Sequence, residues 1–528
     1  MKNIKILDCT LRDGGYVNNW NFGKTNIKKI ISNLNKANID IIECGFWRDD
    51  IDNYDENKTI FKSFNQLYSL DKKLFSKRKQ YTLMVLTEKC DITKLEPCNQ
   101  KYIDTIRLSF HKKDMKKGIS DAYAIKEKGY KLFLQPTATM RYSDEELLEL
   151  IKVCNEIKPE SVAIVDTFGE MQDVNIIYLT RLFDKNLDKS ITLSFHSHNN
   201  IQTAFSNSLH FINNVSDNRK ICIDSSIFGM GRGAGNLCTE LITDYLNKNC
   251  GSSYQLLPLL EVVDNILSDI KKEFYWGYSL EYYLSAINHC HPNYCIYFSD
   301  KNTLTTSDLF KLVGMISEDK KTDFNKEYAE ELYVSYSSEI IDDEDSYKKL
   351  SKLISNRPIL LLGPGKSITE FDKNMVDIIS NKNYFVIGVN NNFNYKVDAY
   401  FISNRKRYSM FNFDKKVKYL CTSNIDTIDK YNNIVFNYRK SLVNKYETSD
   451  NSLLMLLNIL KRINKTDISL IGFDGYEYNQ EDNYYDNALV YLIEKNTVDK
   501  LNLILKKYIN YFKKDLDIKF LTKSKYQG

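Results

Sequence analysis

The chain has 528 residues, 43% hydrophobic and 27% charged, with 20 glycines and 7 prolines. This make-up excludes a single small module and a disordered or fibrous chain, and the length predicts two or three domains. Its 73 basic against 69 acidic residues leave a net charge of only +4, too little for a general attraction to nucleic acid or a membrane surface, so small solutes are the expected partners.

The opening MKNIKILDCTLRDGG carries no apolar leader and no run of about 18 apolar residues occurs in the chain, so a soluble, cytoplasmic protein without a transmembrane segment is expected. The 11 cysteines are scattered without a CxxC pair and read as reduced, mostly buried thiols. Short β-rich runs recur at 4–8, 39–45, 81–86, 105–109, 131–135, 161–165, 192–196 and 221–225. Stretches between them, such as 26–38, 114–128, 144–157 and 201–213, have helical periodicity. Repeated strand–helix alternation predicts a parallel (β/α)8 TIM barrel, with an open doubly wound sheet as the alternative. Polar residues gather at the predicted strand ends, where barrel enzymes build their sites: Arg12, Asp13, Glu43, Asp166, His196, His198 and Asp224.

His196 and His198 form an HxH pair at a strand terminus, from which both imidazoles can reach one ion, and Asp13 adds a hard carboxylate oxygen. The competing reading is two hydrogen-bonded structural histidines; the barrel context and a total of 6 histidines favour the metal. Arg12 is a permanent cation suited to an oxyanion on a substrate carbonyl, or else a salt bridge closing the barrel mouth. The run GMGRGAGN fails the dinucleotide-loop register: the third glycine position is Ala234 counted from Gly229, and Asn236 counted from Gly231. It reads as a tight loop that brings backbone and Asn236 to the site.

DCTLRDGG, HSHNN and GMGRGAGN, in this order, resemble the metal-dependent aldolase and Claisen-condensing barrel family, which includes 4-hydroxy-2-oxovalerate aldolase, 3-hydroxy-3-methylglutaryl-CoA lyase and 2-isopropylmalate synthase. TIRLSFHKKD and VDTFGEM are similar to the first of these, and the resemblance spans residues 1–290. It implies a divalent ion, Mn2+ or Mg2+, held by Asp13, His196 and His198, with Asn236 at a ligand position of the lyase branch. It also implies a 2-oxo acid such as pyruvate, an aldehyde partner, and Arg12 holding the enolate. GYSLEY resembles the aldolase's tyrosine-bearing segment, which makes Tyr282 a candidate site residue. Where the aldolase pattern has a histidine base after RDG, this chain has Tyr16. A tyrosine of ordinary pKa near 10 is a poor base, so the proton falls to Glu43, His111 or a water at the ion, or Tyr16 has another role.

Residues 261–347 carry helical, amphipathic signals. INHCHPNY offers a second HxH, His289 and His291, but Pro292 follows and no carboxylate pairs with it, which favours a structural reading. The acidic run 342–345 reads as a solvated boundary. At Pro358 a new α/β unit starts: ILLL leads into GPGKS, a glycine turn before a helix-like stretch, which gives an anion site a physical basis. It is not a P-loop, because Leu360 stands where the first glycine belongs. Further strands at 384–389, 399–402, 418–421, 433–436, 468–471 and 518–521 predict an open Rossmann-like sheet. LLGPGKSI, VIGVNNNF, DAYFISN and ISLIGFDGYE resemble the bacterial sialyltransferase-like fold of surface-polysaccharide pathways. That implies nucleotide-sugar or diphosphate binding near Gly363, Gly365, Ser367, Asn390, Asn391 and Asp474. The family's catalytic histidine has no counterpart, since no histidine follows His291; a domain for assembly or substrate channelling is the alternative.

The chain thus reads as α/β: an aldolase-like TIM barrel over 1–260, a helical extension and linker over 261–350, and a Rossmann-like, glycosyltransferase-like domain over 351–528. The expected function is metal-dependent aldolase or lyase chemistry on a 2-oxo acid, fused to a nucleotide-sugar-binding transferase, in a homo-oligomer. Acyl-CoA-dependent Claisen condensation, or a catalytically silent barrel scaffolding the transferase, are the alternatives.

Overall fold

A computed structural model describes residues 2–99, 102–337, 341–371, 382–426, 433–446, 450–479, 482–486 and 495–527. The chain divides into two units, Met1–Pro292 and Asn293–Gly528.

In the first unit the strands are β1 (Ile4–Asp8), β2 (Ile41–Trp47), β3 (Gln80–Leu86), β4 (Ile103–Phe110), β5 (Lys131–Pro136), β6 (Ser161–Asp166), β7 (Thr192–Ser197) and β8 (Ile221–Ser225). Each pairs in parallel with the next, and β1 pairs with both β2 and β8, so the sheet closes into a barrel. The alternation of side chains along a strand explains where the site lies. Leu7, Ile41, Phe133 and Cys222 form an apolar cluster inside the barrel. Two residues further along their strands stand Glu43, Gln135 and Asp224, so the same inward face turns polar towards the carboxyl ends. The opposite faces, such as Ile106, Leu108 and Phe110 of β4, pack into the outer core with the helices.

β2 differs from the sequence expectation at both ends. It starts at Ile41 because the Asp40 carboxylate is taken up in accepting from the Ile6 amide (2.9 Å) and the Tyr254 hydroxyl (2.6 Å). It runs on past Gly45, at φ +140°, where a Cβ would lie 2.0 Å from the Thr59 carbonyl oxygen. That close approach seats a two-residue strand, Ile60–Phe61, beside β2. Helices Leu256–Val262, Ser268–Glu273 and Leu280–Ile287 follow the barrel.

In the second unit, helices Thr306–Gly314, Lys326–Tyr336 and Glu344–Ile354 precede a sheet with seven strands among the described residues. Its strands are β9 (Ile359–Leu362), β10 (Phe385–Val389), β11 (Ala399–Ile402), β12 (Lys418–Thr422), β13 (Asn433–Phe436), β14 (Asp467–Ile471) and β15 (Asp517–Phe520). All pairings are parallel, in the order β13-β12-β11-β10-β9-β14-β15. Ile359 and Leu361 face one core while Leu360 and Leu362 face another, as in a sheet covered on both sides. This is a Rossmann-like sheet, and the chain reverses direction between β9 and β14, the kind of place where such sheets open a ligand crevice. Among the described residues no helix is long and apolar enough to cross a membrane.

Candidate metal centre and active site

After β1 the amides of Arg12 and Asp13 both donate to the Cys9 carbonyl, at 3.0 and 2.8 Å, a tight turn that carries both side chains to the barrel site. Asp13 Oδ2 lies 3.7 Å from His196 Nε2 and 3.7 Å from His198 Nε2. One ligand atom from each of the three falls within 4.8 Å of the others, and all three residues are buried. Asn236, from the loop after β8, donates its Nδ2 to Asp13 Oδ2 at 2.7 Å. Among the described residues its Oδ1 is buried without a hydrogen-bond partner, an acceptor left open for a ligand.

Behind these residues runs a chain of alternating charge. His196 Nδ1 sits 3.0 Å from Asp224 Oδ2; the carboxylate accepts, so Nδ1 carries a proton and Nε2 is the nitrogen that faces Asp13. Arg107 donates to Asp224 and, through Nη1, to Glu43 Oε2 at 2.8 Å. Arg12 donates Nε to the same Glu43 oxygen at 2.7 Å and Nη1 to Asp13 Oδ1 at 2.9 Å. Burial works against ionising Asp13, but Arg12 and the two imidazoles hold it well below the usual carboxylate range. Burial pushes His198 down to about 4, opposed by Asp13. An ionised Asp13 carboxylate beside a neutral His198 imidazole is the protonation state that a cation needs. Together with the orphaned Asn236 oxygen, this donor set fits a divalent ion.

The other candidate residues take varied positions. Glu43 is locked between two guanidiniums and positions Arg12. Tyr16 packs edge-on against Trp20 and Phe46, with ring centroids 4.8 and 6.1 Å away, and desolvation raises its phenol above the ordinary value. His111 follows β4, with Nδ1 3.0 Å from Thr137 Oγ1 and Nε2 4.0 Å from Glu88. Tyr282 lies on helix Leu280–Ile287, where its amide donates to the capping Ser279 hydroxyl. The histidines of INHCHPNY reach the loops at the barrel mouth. His289 Nδ1 is 2.7 Å from Glu170, which also binds Arg141, and His291 Nε2 meets Arg232. Sequence reasoning missed Arg107 and gave Asp224 no role.

In the second unit, Gly363 and Gly365 donate their amides to Ile471 and Gly472, each at 2.8 Å. A Cβ on Gly363 would lie 2.5 Å from the Gly472 oxygen, so glycine permits the ends of β9 and β14 to meet. The Ser367 amide (2.7 Å) and hydroxyl both donate to Asp474, which places a carboxylate of the protein at the amide suggested for an anion. Asn390, at φ +54°, accepts from the Ser403 amide and donates to Ser452, and Asn391 donates to the Tyr485 hydroxyl at 2.6 Å. A cleft of about 1420 Å³ opens at these strand ends, lined in part by Gly365, Asn390, Asp474, Arg407 and Arg439. Ser367 bears on it through Asp474.

Residues 3–262 match the family model HMGL-like. A 4-hydroxy-2-oxovalerate aldolase of Geobacillus genomosp. 3 is 26% identical over 270 residues, 51% of this chain and 77% of the relative. Another, of Carboxydothermus hydrogenoformans, is 24% identical over 268 residues, 51% of this chain and 78% of the relative. Among solved structures, the "N-terminal domain of a putative aldolase from Bacteroides vulgatus" aligns with TM-score 0.51 and 26% identity, covering 58% of this chain and 99% of that one.

Proposed function

We propose, from the match of residues 3–262 to the HMGL-like family model, that the barrel is a divalent-metal-dependent carbon–carbon lyase or aldolase acting on a small 2-oxo acid, with pyruvate as the simplest donor. The observation that carries this reading is the convergence of Asp13, His196 and His198 with the unbonded Asn236 Oδ1 beside a fixed guanidinium. A divalent ion, Mn2+ or Mg2+, would be held by these residues and would supply Lewis acidity towards a keto oxygen. Arg12, clamped by Glu43 and Asp13, presents a second positive charge to the enolate oxygen without reorganising. Tyr16 keeps its proton at neutral pH and is suited to donating a hydrogen bond to the acceptor's oxygen. His111, at the carboxyl end of β4, is the side chain we assign to proton transfer, and Tyr282 borders the site from the segment after the barrel. The aldolases among the relatives support the lyase class.

For the second unit we propose binding of a nucleotide-linked sugar, which would join the barrel's product to surface-polysaccharide synthesis. Its support is the cleft at the β9/β14 reversal and its arginine-containing lining. Saturation-transfer NMR with UDP and CMP tests it; absence of signal from both would remove the reading.

The test of the barrel is hydrogen–deuterium exchange at the methyl group of pyruvate, followed by NMR in D2O with the full chain and Mn2+, with and without chelator. Chelator-sensitive exchange is expected. Metal-loaded protein that leaves the methyl protons in place would overturn the pyruvate reading.

A further inference from the structure

The run GMGRGAGN contains a charged residue, Arg232, that is not among the candidate metal ligands. Gly231 and Gly233 flank Arg232. A Cβ on the first would lie 2.5 Å from Asn236 Nδ2, and on the second 2.7 Å from Asn200 Oδ1. The loop is therefore pressed against Asn236, a candidate ligand, and against Asn200, and Arg232 is carried with it. Arg232 contributes to the field at both His198 and Tyr16.

Arg12, Arg107, Arg141 and Arg219 of the barrel unit each meet a carboxylate. Arg232 does not: among the described residues its partners are His291 Nε2 and the Tyr16 ring, with the guanidinium carbon 6.0 Å from the ring centroid. A guanidinium only donates, so His291 accepts as a neutral imidazole, and burial together with Arg232 and His111 pushes it down to about 3. The imidazole orients the arginine without cancelling its charge. A half-buried guanidinium left unneutralised is poorly solvated until an anion pairs with it.

Its position selects which anion. Arg12 is 5% exposed and the four candidate ligands 2–7%, whereas Tyr16, over which Arg232 lies, is 38% exposed. Arg12 thus serves the buried end of the site and Arg232 the entry side, where a second substrate would approach.

We propose that Arg232, oriented by His291 over the Tyr16 ring, is an anion subsite for the aldehyde partner of the barrel reaction, which therefore carries a carboxylate or phosphate group remote from its carbonyl. This rests on the 2-oxo acid reading above. The donor's own carboxylate is the competing occupant.

Two measurements on the full chain with Mn2+ decide it. Calorimetry with glycerol 3-phosphate, succinate and glycerol reads the subsite without turnover. At least one of the two anions binds and glycerol does not, and Arg232→Gln weakens that binding about 10–100-fold, the range for a lost charge-assisted hydrogen bond. Which anion binds better tells phosphate from carboxylate. Aldol kinetics with pyruvate then compare D-glyceraldehyde 3-phosphate, succinic semialdehyde and D-glyceraldehyde. Arg232→Gln lowers kcat/KM for the preferred anionic aldehyde at least tenfold more than it lowers glyceraldehyde addition or pyruvate exchange, chiefly through KM. Arg232→Lys falls between the two and decides the matter should Arg232→Gln not fold. Anion binding without pyruvate exchange in the wild type would keep the subsite and remove the 2-oxo acid reading. Anions that bind no better than glycerol, or bind equally to Arg232→Gln, overturn the subsite. So does an equal loss of exchange and aldol addition, which would give Arg232 to the donor.

Discussion

Arg107 is fully buried in the middle of β4, and its two terminal nitrogens bind Glu43 and Asp224. Through Glu43 it reaches Arg12, and through Asp224 it reaches His196, so one side chain links the guanidinium end of the site to its imidazole end. Arg107→Met would leave two buried carboxylates short of a partner, a loss of about 3–5 kcal/mol in denaturant unfolding. Asp224, which Arg107 holds below its usual range against the effect of burial, would then accept less strongly from His196. Mn2+ affinity, measured by calorimetry, is expected to fall about 10–100-fold; unchanged affinity would show that the charge chain does not bear on the ligands. Substitutions in the ligands themselves should act differently. Asp13→Ala or His198→Ala should lower pyruvate exchange at least about 100-fold while the circular dichroism spectrum stays that of the wild type, since each removes a donor and leaves the barrel strands intact. Wild-type exchange in both variants would mean that the metal site is not where the chemistry occurs.

At the scale of elements, most strands were legible because periodicity and polar punctuation mark them, and the barrel's carboxyl rim followed from the same pattern. Arg107 is legible on the same ground. In TIRLSF, Thr105, Arg107 and Ser109 alternate with Ile106, Leu108 and Phe110, the signature of a strand with a polar interior face. The two-residue strand Ile60–Phe61 has no period to read, and the union of Ser367 with Asp474 joins residues from distant elements. The helix Asp173–Asn186 shows how such distant pairs stabilise an element. Arg219, fully buried, donates to the Asp184, Leu187, Asp188 and Ile191 carbonyls and to the Asp184 carboxylate, closing the carbonyl end of that helix. Burial opposes ionisation of Asp184, yet Arg219, Lys189 and Ser216 pull it down to about 2 from an ordinary value of 3.8. Because the folded value is the lower one, the contribution is present above pH 3.8 and is lost as pH falls through 2. The melting temperature of Asp184→Asn should therefore lie a few degrees below that of the wild type at pH 6, and the gap should narrow at pH 3. A gap independent of pH would place the effect in packing and not in charge.

For the whole molecule, the decisive feature is that apolar contacts gather into separate cores. One core runs from Ile6 to Trp276, and those of the parallel sheet lie between Tyr347 and Tyr526. Units with their own cores unfold as their own cooperative transitions, so calorimetry of the full chain should resolve two. The candidate metal ligands all belong to the first unit. A ligand stabilises only what it binds in the folded form, by about 2.7 kcal/mol at a hundredfold excess over Kd, which for a unit of this size is a shift of about 4 °C. Mn2+ should therefore raise one transition and leave the other, and chelator should reverse the shift. Asp13→Ala should abolish it while both transitions remain. If Mn2+ moved both transitions together in the wild type, the units would share one folding equilibrium, and metal at the barrel would then also stabilise the sheet unit and its cleft.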